Sequence, residues 1–265
     1  MRYFFLLMPF ALFAETRITF FHSYQAQKEH SEELISILEE EQKTATYSVH
    51  AMSMPTSQGL DAWSQPFLRS IDLGLLYQDH FSKNLERMSL QAQAKNIPIF
   101  ASNVLDDKDL FFPKVLPYQI YEVEGIKIGV FSLAEAPSPK MGHHTQSMMR
   151  GFLILSPVFV TKTLVERLRT LGCSYIVVFS ELPFERDVAL VKTVRAIDLV
   201  IGSHAKEAIA FYEQDTLIYK SSRRTSTLNR FDIVVSEERL LGLGYPIFYA
   251  HFRKIPIGMK KKSAL

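Results

Sequence analysis

The stretch SYIVVFSELPFERDVALVKTVRAIDLVIGSHAK, residues Ser174–Lys206, decides the fold. Its pattern predicts a strand at Tyr175–Phe179, a helix at Phe184–Val194 and a second strand at Ile197–Ile201. Two apolar strands that flank a helix make a parallel βαβ unit, and chemistry in such sheets collects at the carboxyl ends of the strands. The candidate site therefore begins with the residues that follow these two strands, Ser180-Glu181 and Gly202-Ser203-His204-Ala205-Lys206.

Strands and helices alternate along most of the remaining chain. Before the opening stretch, strands are predicted at Arg17–His22, Tyr47–Ala51, Leu73–Tyr77 and Ile97–Ser102, and helices at Glu29–Gln42, Leu60–Ser70, Phe81–Lys95 and Pro157–Leu171. Glu124-Gly125 joins Tyr118–Val123 to Ile126–Leu133 in a predicted hairpin. Three further strands, predicted to be antiparallel, follow at Thr216–Ser221, Arg230–Val235 and Gly242–Tyr249. This order predicts an α/β fold, a four-layer α/β/β/α sandwich with two mixed sheets in a single domain.

Composition limits the function classes. The chain has 265 residues, of which 47% are hydrophobic and 22% charged, with a formal net charge of +2. A protein that binds nucleic acid polymers usually carries a basic stripe, and the body of this chain has none. Cys173 is the one cysteine, so an intrachain disulfide is impossible and a packing role is expected for its thiol.

The N-terminus has the features of a secretory signal peptide. Met1-Arg2 precedes the apolar run Tyr3–Phe13, and Ala14 is the predicted last residue before cleavage. The alternative is a buried first strand. The predicted divisions are therefore a signal peptide at 1–14, a folded domain at 15–250 and a basic tail at 251–265. The expected location is periplasmic or secreted, without a transmembrane span, and the absence of a cysteine after the signal segment predicts no lipid attachment there.

Several local strings resemble one enzyme family. They are RITFFHSYQAQ (17–27), NIPIFASNVL (96–105), PYQIYEVEGIKIGVFSL (117–133), IVVFSELPFERDVALVKTVRAIDLVIGSHAK (176–206) and TLIYKSSRRTSTLNRFDIVVSEERL (216–240). These segments are similar to the calcineurin-like metallophosphoesterase superfamily, and more narrowly to the N-terminal domain of secreted bacterial 5′-nucleotidases. The resemblance covers most of residues 16–240, and the family's C-terminal nucleotide-recognition domain has no counterpart. It implies the predicted sandwich and hydrolysis of nucleotides or other phosphate esters.

The resemblance also implies where two metal ions would bind. In the family, two divalent ions share a bridging carboxylate and activate a water that attacks phosphorus. The family's ligand positions fall here on Gln25, Gln27, Gln78, Glu181, His204 and Lys206, with Ser53 near the bridging aspartate. Asp79 falls at the position of the family's catalytic histidine. Of the usual ligands only His204 is retained in kind.

These replacements predict a site without metal ions. Two neighbouring dications repel each other, and anionic ligands must offset that repulsion. Glutamine is neutral, Ser53 cannot bridge as an anion, and the Lys206 ammonium opposes metal binding. We therefore expect no cofactor, and an ion pair between Glu181 and Lys206 that joins the glutamines in a hydrogen-bonded polar plug. The predicted function is a catalytically silent binding or scaffold domain, with an unidentified small molecule or protein as its partner.

One alternative keeps a metal and an activity. If the alignment slips by one residue, Asp79 replaces the family's asparagine ligand and His80 takes the place of its general acid. Asp79, Glu181 and His204 would then hold a single divalent ion such as Mn²⁺ or Zn²⁺. The protein would be an active phosphoesterase with a non-standard site.

Four other features have a structural and a functional interpretation. His143-His144 lies in a polar, methionine-containing loop, where copper or zinc binding competes with a plain surface loop. Arg223-Arg224 suits a phosphate, but a solvated turn is the simpler interpretation. His22 and His50 are expected to be core or supporting residues, because each lies in an apolar strand.

Overall fold

A computed structural model describes residues 16–24, 31–53, 66–76, 85–106, 115–136, 152–205, 207–222, 227–236 and 247–256. The α-helices are α1 (Ser31–Gln42), α2 (Leu85–Ala94), α3 (Pro157–Thr170) and α4 (Phe184–Thr193), and Pro66–Ser70 is a 3-10 helix. The strands are β1 (Thr16–Tyr24), β2 (Tyr47–Ser53), β3 (Leu73–Leu75), β4 (Ile99–Phe100), β5 (Val104–Asp106), β6 (Val115–Leu116), β7 (Gln119–Val123), β8 (Ile126–Leu133), β9 (Phe152–Ile154), β10 (Tyr175–Ser180), β11 (Leu199–Ala205), β12 (Ile209–Glu213), β13 (Thr216–Ser222), β14 (Thr227–Ser236) and β15 (Ile247–Pro256).

The strands form two large mixed sheets and a small ribbon. One sheet has seven strands in the order β15-β14-β1-β2-β3-β4-β6, and the other has six in the order β12-β13-β11-β10-β8-β7. Pairing in the six-stranded sheet is antiparallel at both edges, between β7 and β8 and between β12 and β13, and parallel in between. In the seven-stranded sheet β14 pairs antiparallel with β1 and β15, and β1, β2, β3, β4 and β6 pair in parallel. Strands β5 and β9 form the separate ribbon. Because neighbouring parallel strands end at the same edge, the carboxyl ends of β8, β10 and β11 lie side by side.

Apolar side chains pack the two sheets against each other and the helices onto their outer faces. Phe20 of β1 and Phe179 of β10 meet edge to face between the sheets, with ring centroids 6.2 Å apart. Leu34 of α1 belongs to the cluster that covers the outside of the seven-stranded sheet, and Leu190 of α4 packs on the six-stranded sheet. Cys173 is a buried free thiol in the main core. The predicted four-layer α/β/β/α sandwich is confirmed.

The βαβ unit predicted from the opening stretch is confirmed. Strand β10, helix α4 and strand β11 follow one another, and the two strands pair in parallel with Ser180 opposite Gly202. The continuous burial of β10 explains this, since all six of its residues are buried, as expected for a strand covered on both faces.

The predicted antiparallel group after residue 215 is confirmed for β14 and β15, which pair with each other antiparallel, and wrong for β13. Strand β13 pairs in parallel with β11 in the six-stranded sheet, whereas β14 crosses to the seven-stranded sheet and pairs with β1 and β15. The antiparallel partner of β13 is β12, a strand that the sequence pattern did not predict. Strand β15 extends to Pro256, across the predicted boundary between domain and tail at residue 250. The alternation of apolar and polar residues within a strand does not specify its partner, because pairing depends on which neighbours bury the strand in the folded protein.

Candidate functional site

The turn that follows β10 places Glu181 at the carboxyl edge of the six-stranded sheet. Glu181 is 2% exposed, and its backbone N–H donates to Leu133 O at 2.9 Å. Its carboxylate accepts a hydrogen bond from the hydroxyl of Ser203, with 2.8 Å between Oγ and Oε2. Ser203 lies on β11 and is fully buried. The ends of β10 and β11 therefore meet through a side-chain contact.

Beside this contact lies a buried ion pair. Lys220 of β13 and Asp187 of α4 have fully buried side chains, with 2.5 Å between Nζ and Oδ2. The contact is a close ion pair rather than an aligned hydrogen bond. Ser180 Oγ donates to the other carboxylate oxygen of Asp187 at 2.5 Å. Burial raises the pKa of Asp187, and the facing ammonium offsets part of that rise.

A third carboxylate stands just beyond β8. Glu135 accepts a hydrogen bond from the guanidinium of Arg186 on α4. Burial raises the pKa of Glu135, while the guanidinium acts in the opposite direction. Because Arg186 and Asp187 are neighbours on α4, this helix supplies a cation to one carboxylate of the edge and an anion to Lys220.

Two buried histidines lie on the seven-stranded sheet, near the carboxyl ends of β1 and β2. His22 is fully buried, with its ring centroid 6.2 Å from that of Phe179. Neither of its ring nitrogens has a hydrogen-bond partner among the described residues. Burial, with smaller effects of His50 and Lys220, lowers the pKa of His22 to about 3. His22 is therefore a neutral core residue, as the sequence predicted.

His50 is buried in a different way. Its Nε2 lies 3.0 Å from Ser23 Oγ and its Nδ1 lies 3.1 Å from Ser70 O, so both ring nitrogens have partners. Burial lowers the pKa of His50 to about 4, although the bond to the Ser70 carbonyl acts in the opposite direction. The structural role expected for His50 is confirmed.

The structure describes only some of the residues predicted for the site. Gln25, Gln27, Gln78, Asp79, His80 and Lys206 lie outside the described residues, as do the signal segment, His143-His144 and Arg223-Arg224. Ser53 is the last residue of β2, in register with Tyr24, and His204 lies within β11. The predicted ion pair between Glu181 and Lys206 stays a prediction, and Glu181 accepts a hydrogen bond from Ser203. Within the described ranges, no group of three His, Cys, Asp or Glu side chains is arranged to hold a metal ion.

Sequence reasoning missed Lys220. It lies in the strand Thr216–Ser222, all of whose residues are buried. Lysine is rarely buried, so the sequence alone favours an exposed side chain at this position. The one signal for a buried cation was the apolar segment TLIYKSS around it.

Solved structures share this fold at low sequence identity. A putative 5′-nucleotidase from Staphylococcus aureus matches with a TM-score of 0.69 and 14% identity, over 91% of this chain and 54% of that chain. The NAD nucleotidase of Haemophilus influenzae matches with a TM-score of 0.66 and 12% identity, over 92% of this chain and 51% of that chain. A calcineurin-like phosphoesterase from Bacillus subtilis matches with a TM-score of 0.66 and 13% identity, over 91% of both chains.

These likenesses concern the fold. This chain spans 54% and 51% of the length of the first two proteins, so it corresponds to about half of each. No protein-family model matches the chain, and no curated protein sequence matches it. Among the described residues, no helix has the length and apolar character needed to cross a membrane.

Proposed function

This chain has the fold of the calcineurin-like metallophosphoesterase superfamily, and we propose that it is an exported, catalytically silent member that works as a binding or scaffold domain. Its ligand, a small molecule or another protein, would occupy the cleft at the carboxyl ends of the two sheets. The basic and apolar character of residues 1–14 supports export.

One observation carries the proposal. At the carboxyl edge of β8, β10 and β11, each described carboxylate already has a hydroxyl or cationic partner from the same chain. The pairs are Glu181 with Ser203, Asp187 with Lys220, and Glu135 with Arg186. Each of these carboxylates therefore already has a partner, and a metal ion would have to compete with existing contacts.

The available donors do not fit two divalent ions. Such a pair needs several anionic ligands, one of them bridging. The positions at which the family carries them hold neutral Gln25, Gln27 and Gln78 and cationic Lys206. We therefore assign no hydrolytic step to this chain.

The proposal predicts no stoichiometric metal and no phosphoester turnover. The protein, dialysed against buffer without chelator, is expected to contain far less than one Mn or Zn per chain by elemental analysis. Added Mn²⁺ should produce no hydrolysis of a generic phosphodiester or of a nucleoside monophosphate. His204→Ala should behave as the parent protein does, and Lys192→Met, at an exposed lysine of α4, serves as the control.

The single-metal alternative gives the opposite result. Glu181 directly follows β10 and His204 lies in β11, the parallel neighbour of β10, which favours this alternative over other metal sites. Retained metal, with turnover that Glu181→Gln and His204→Ala abolish and Lys192→Met leaves unchanged, would establish it and refute the silent assignment. Asp79 would then be the next residue to replace.

A further inference from the structure

The side chain of Lys220 extends from β13 across β11 to β10 without reaching solvent. It stands in register with Gly202 of β11, and Gly202 stands in register with Ser180 of β10. The ammonium donates to Ser180 O at 2.7 Å and to Leu182 O at 2.8 Å. A side chain from β13 therefore holds the turn that follows β10.

Gly202 leaves the space through which this side chain passes. A Cβ atom at residue 202 would lie 2.5 Å from Nζ and 3.1 Å from Cδ of Lys220. The lysine side chain therefore crosses β11 at Gly202, where the strand has no side chain to block it.

Oxygen atoms surround the ammonium of Lys220, as they would a bound cation. A carboxylate oxygen of Asp187 and the carbonyl oxygens of Ser180 and Leu182 all lie within hydrogen-bonding distance, 2.5 to 2.8 Å from Nζ. A lysine ammonium has three donors, and here two carbonyl oxygens accept hydrogen bonds from it while a carboxylate oxygen pairs with its charge. Burying a charge is costly, so such a group is tolerated only inside a nearly complete set of partners.

We propose that Lys220 is a positioning residue, a cation tethered inside the fold that fixes the turn Ser180–Pro183 and thereby sets the carboxylate of Glu181 at the edge of the cleft. The two carbonyls that it binds belong to the chain neighbours of Glu181. The side chain of Glu181 can then meet Ser203 in one geometry. This inference rests on the proposed function in one respect, namely that Glu181 contacts a ligand that is not a metal ion.

Hydrogen exchange of two amides tests the proposal. The N–H of Glu181 donates to Leu133 O and the N–H of Leu182 donates to Ser180 Oγ, so their exchange rates report on the turn. In the full chain with a chelator present, Lys220→Met should speed exchange at both amides by at least about tenfold. The thermal midpoint should fall by about 10 °C. The matched control is Lys192→Met, which removes an exposed lysine 3.5 Å from Glu213 and should change neither quantity.

A double variant separates positioning from packing, and also answers the question if Lys220→Met does not fold. Lys220→Met combined with Asp187→Leu replaces the ion pair by apolar side chains, which can restore the midpoint. The turn amides should still exchange fast, because the carbonyls of Ser180 and Leu182 have lost their donor. Parental exchange at both amides in the double variant would overturn the proposal. Slower exchange of the parent on adding Mn²⁺ would instead contradict the metal-free assignment and leave the role of Lys220 intact.

Discussion

Gly202→Ala is expected to lower the free energy of unfolding by more than about 3 kcal/mol, among the largest effects of a single methyl group in this fold. The added Cβ would overlap the carbonyl oxygen of Ser180, which is backbone of a central strand. It would also stand 2.5 Å from the ammonium of Lys220, which has no free space in which to move. The φ angle of Gly202 is outside the left-handed region, so the loss would come from steric overlap alone.

Gly129→Ala is the matched control. Gly129 is also buried, on β8, the other neighbour of β10, and its added Cβ would meet side-chain atoms of Leu168 at 2.9 to 3.2 Å. A leucine side chain can shift where a backbone carbonyl cannot, so the expected loss is about 1 kcal/mol. Urea unfolding followed by circular dichroism measures both variants. Equal losses would show that Lys220 and the turn after β10 adjust, and that this edge is not rigid.

Much of the architecture follows from apolar runs in the sequence. The runs Tyr175–Phe179 and Ile197–Ile201 are short and almost wholly apolar, which indicates strands buried on both faces, and both are interior strands of the six-stranded sheet. The hairpin around Glu124-Gly125 was also predicted, and both residues have positive φ, as a tight turn of this kind requires. Local pattern and tertiary burial agree in these segments.

Partner choice could not be predicted in the same way. Strands β13 and β14 follow each other in the chain with a short connection, so a hairpin is the simple expectation. They lie instead in different sheets, with Tyr219 of β13 donating to Asn229 of β14 across the gap between the sheets. The alternation of a strand gives the face that it buries, and it does not give the sheet that it joins.

The site shows the same limit. Sequence reasoning placed Glu181 and the Gly202–Lys206 segment at one edge, because parallel strands end together. The predicted ion pair between Glu181 and Lys206 stays untested, because Lys206 lies outside the described residues. The contact with Ser203 and the buried cation Lys220, which comes from a third strand, were not predicted. Residues that converge from strands far apart in sequence cannot be paired by spacing alone. The sequence-based argument against a two-metal site is that Gln25 and Gln27 are neutral.

His22→Leu is expected to raise the free energy of unfolding at pH 7 by about 1–2 kcal/mol, an unusual sign for a substitution in a core. The His22 ring is fully buried beside Phe179, and its two nitrogens have no partner among the described residues. Leucine has a similar volume and no polar atom to desolvate. His50→Leu is the matched control in the same sheet and should destabilise by about 1–3 kcal/mol, because it removes the hydrogen bonds to Ser23 and Ser70.

The acid side of the stability curve should change with the same substitution. The folded protein keeps the pKa of His22 at about 3, well below its ordinary value of 6.5, so the unfolded chain takes up a proton there first as the pH falls. Stability is thus lost between pH 6.5 and about 3, at about 1.4 kcal/mol for each pKa unit. Buried carboxyl groups with a raised pKa, such as Asp187, act in the opposite sense and are common to parent and variant. The advantage of His22→Leu over the parent should therefore grow from pH 7 to pH 4 in urea unfolding curves, and an advantage that stays constant or shrinks would show that His22 is already protonated in the fold or has a partner of its own.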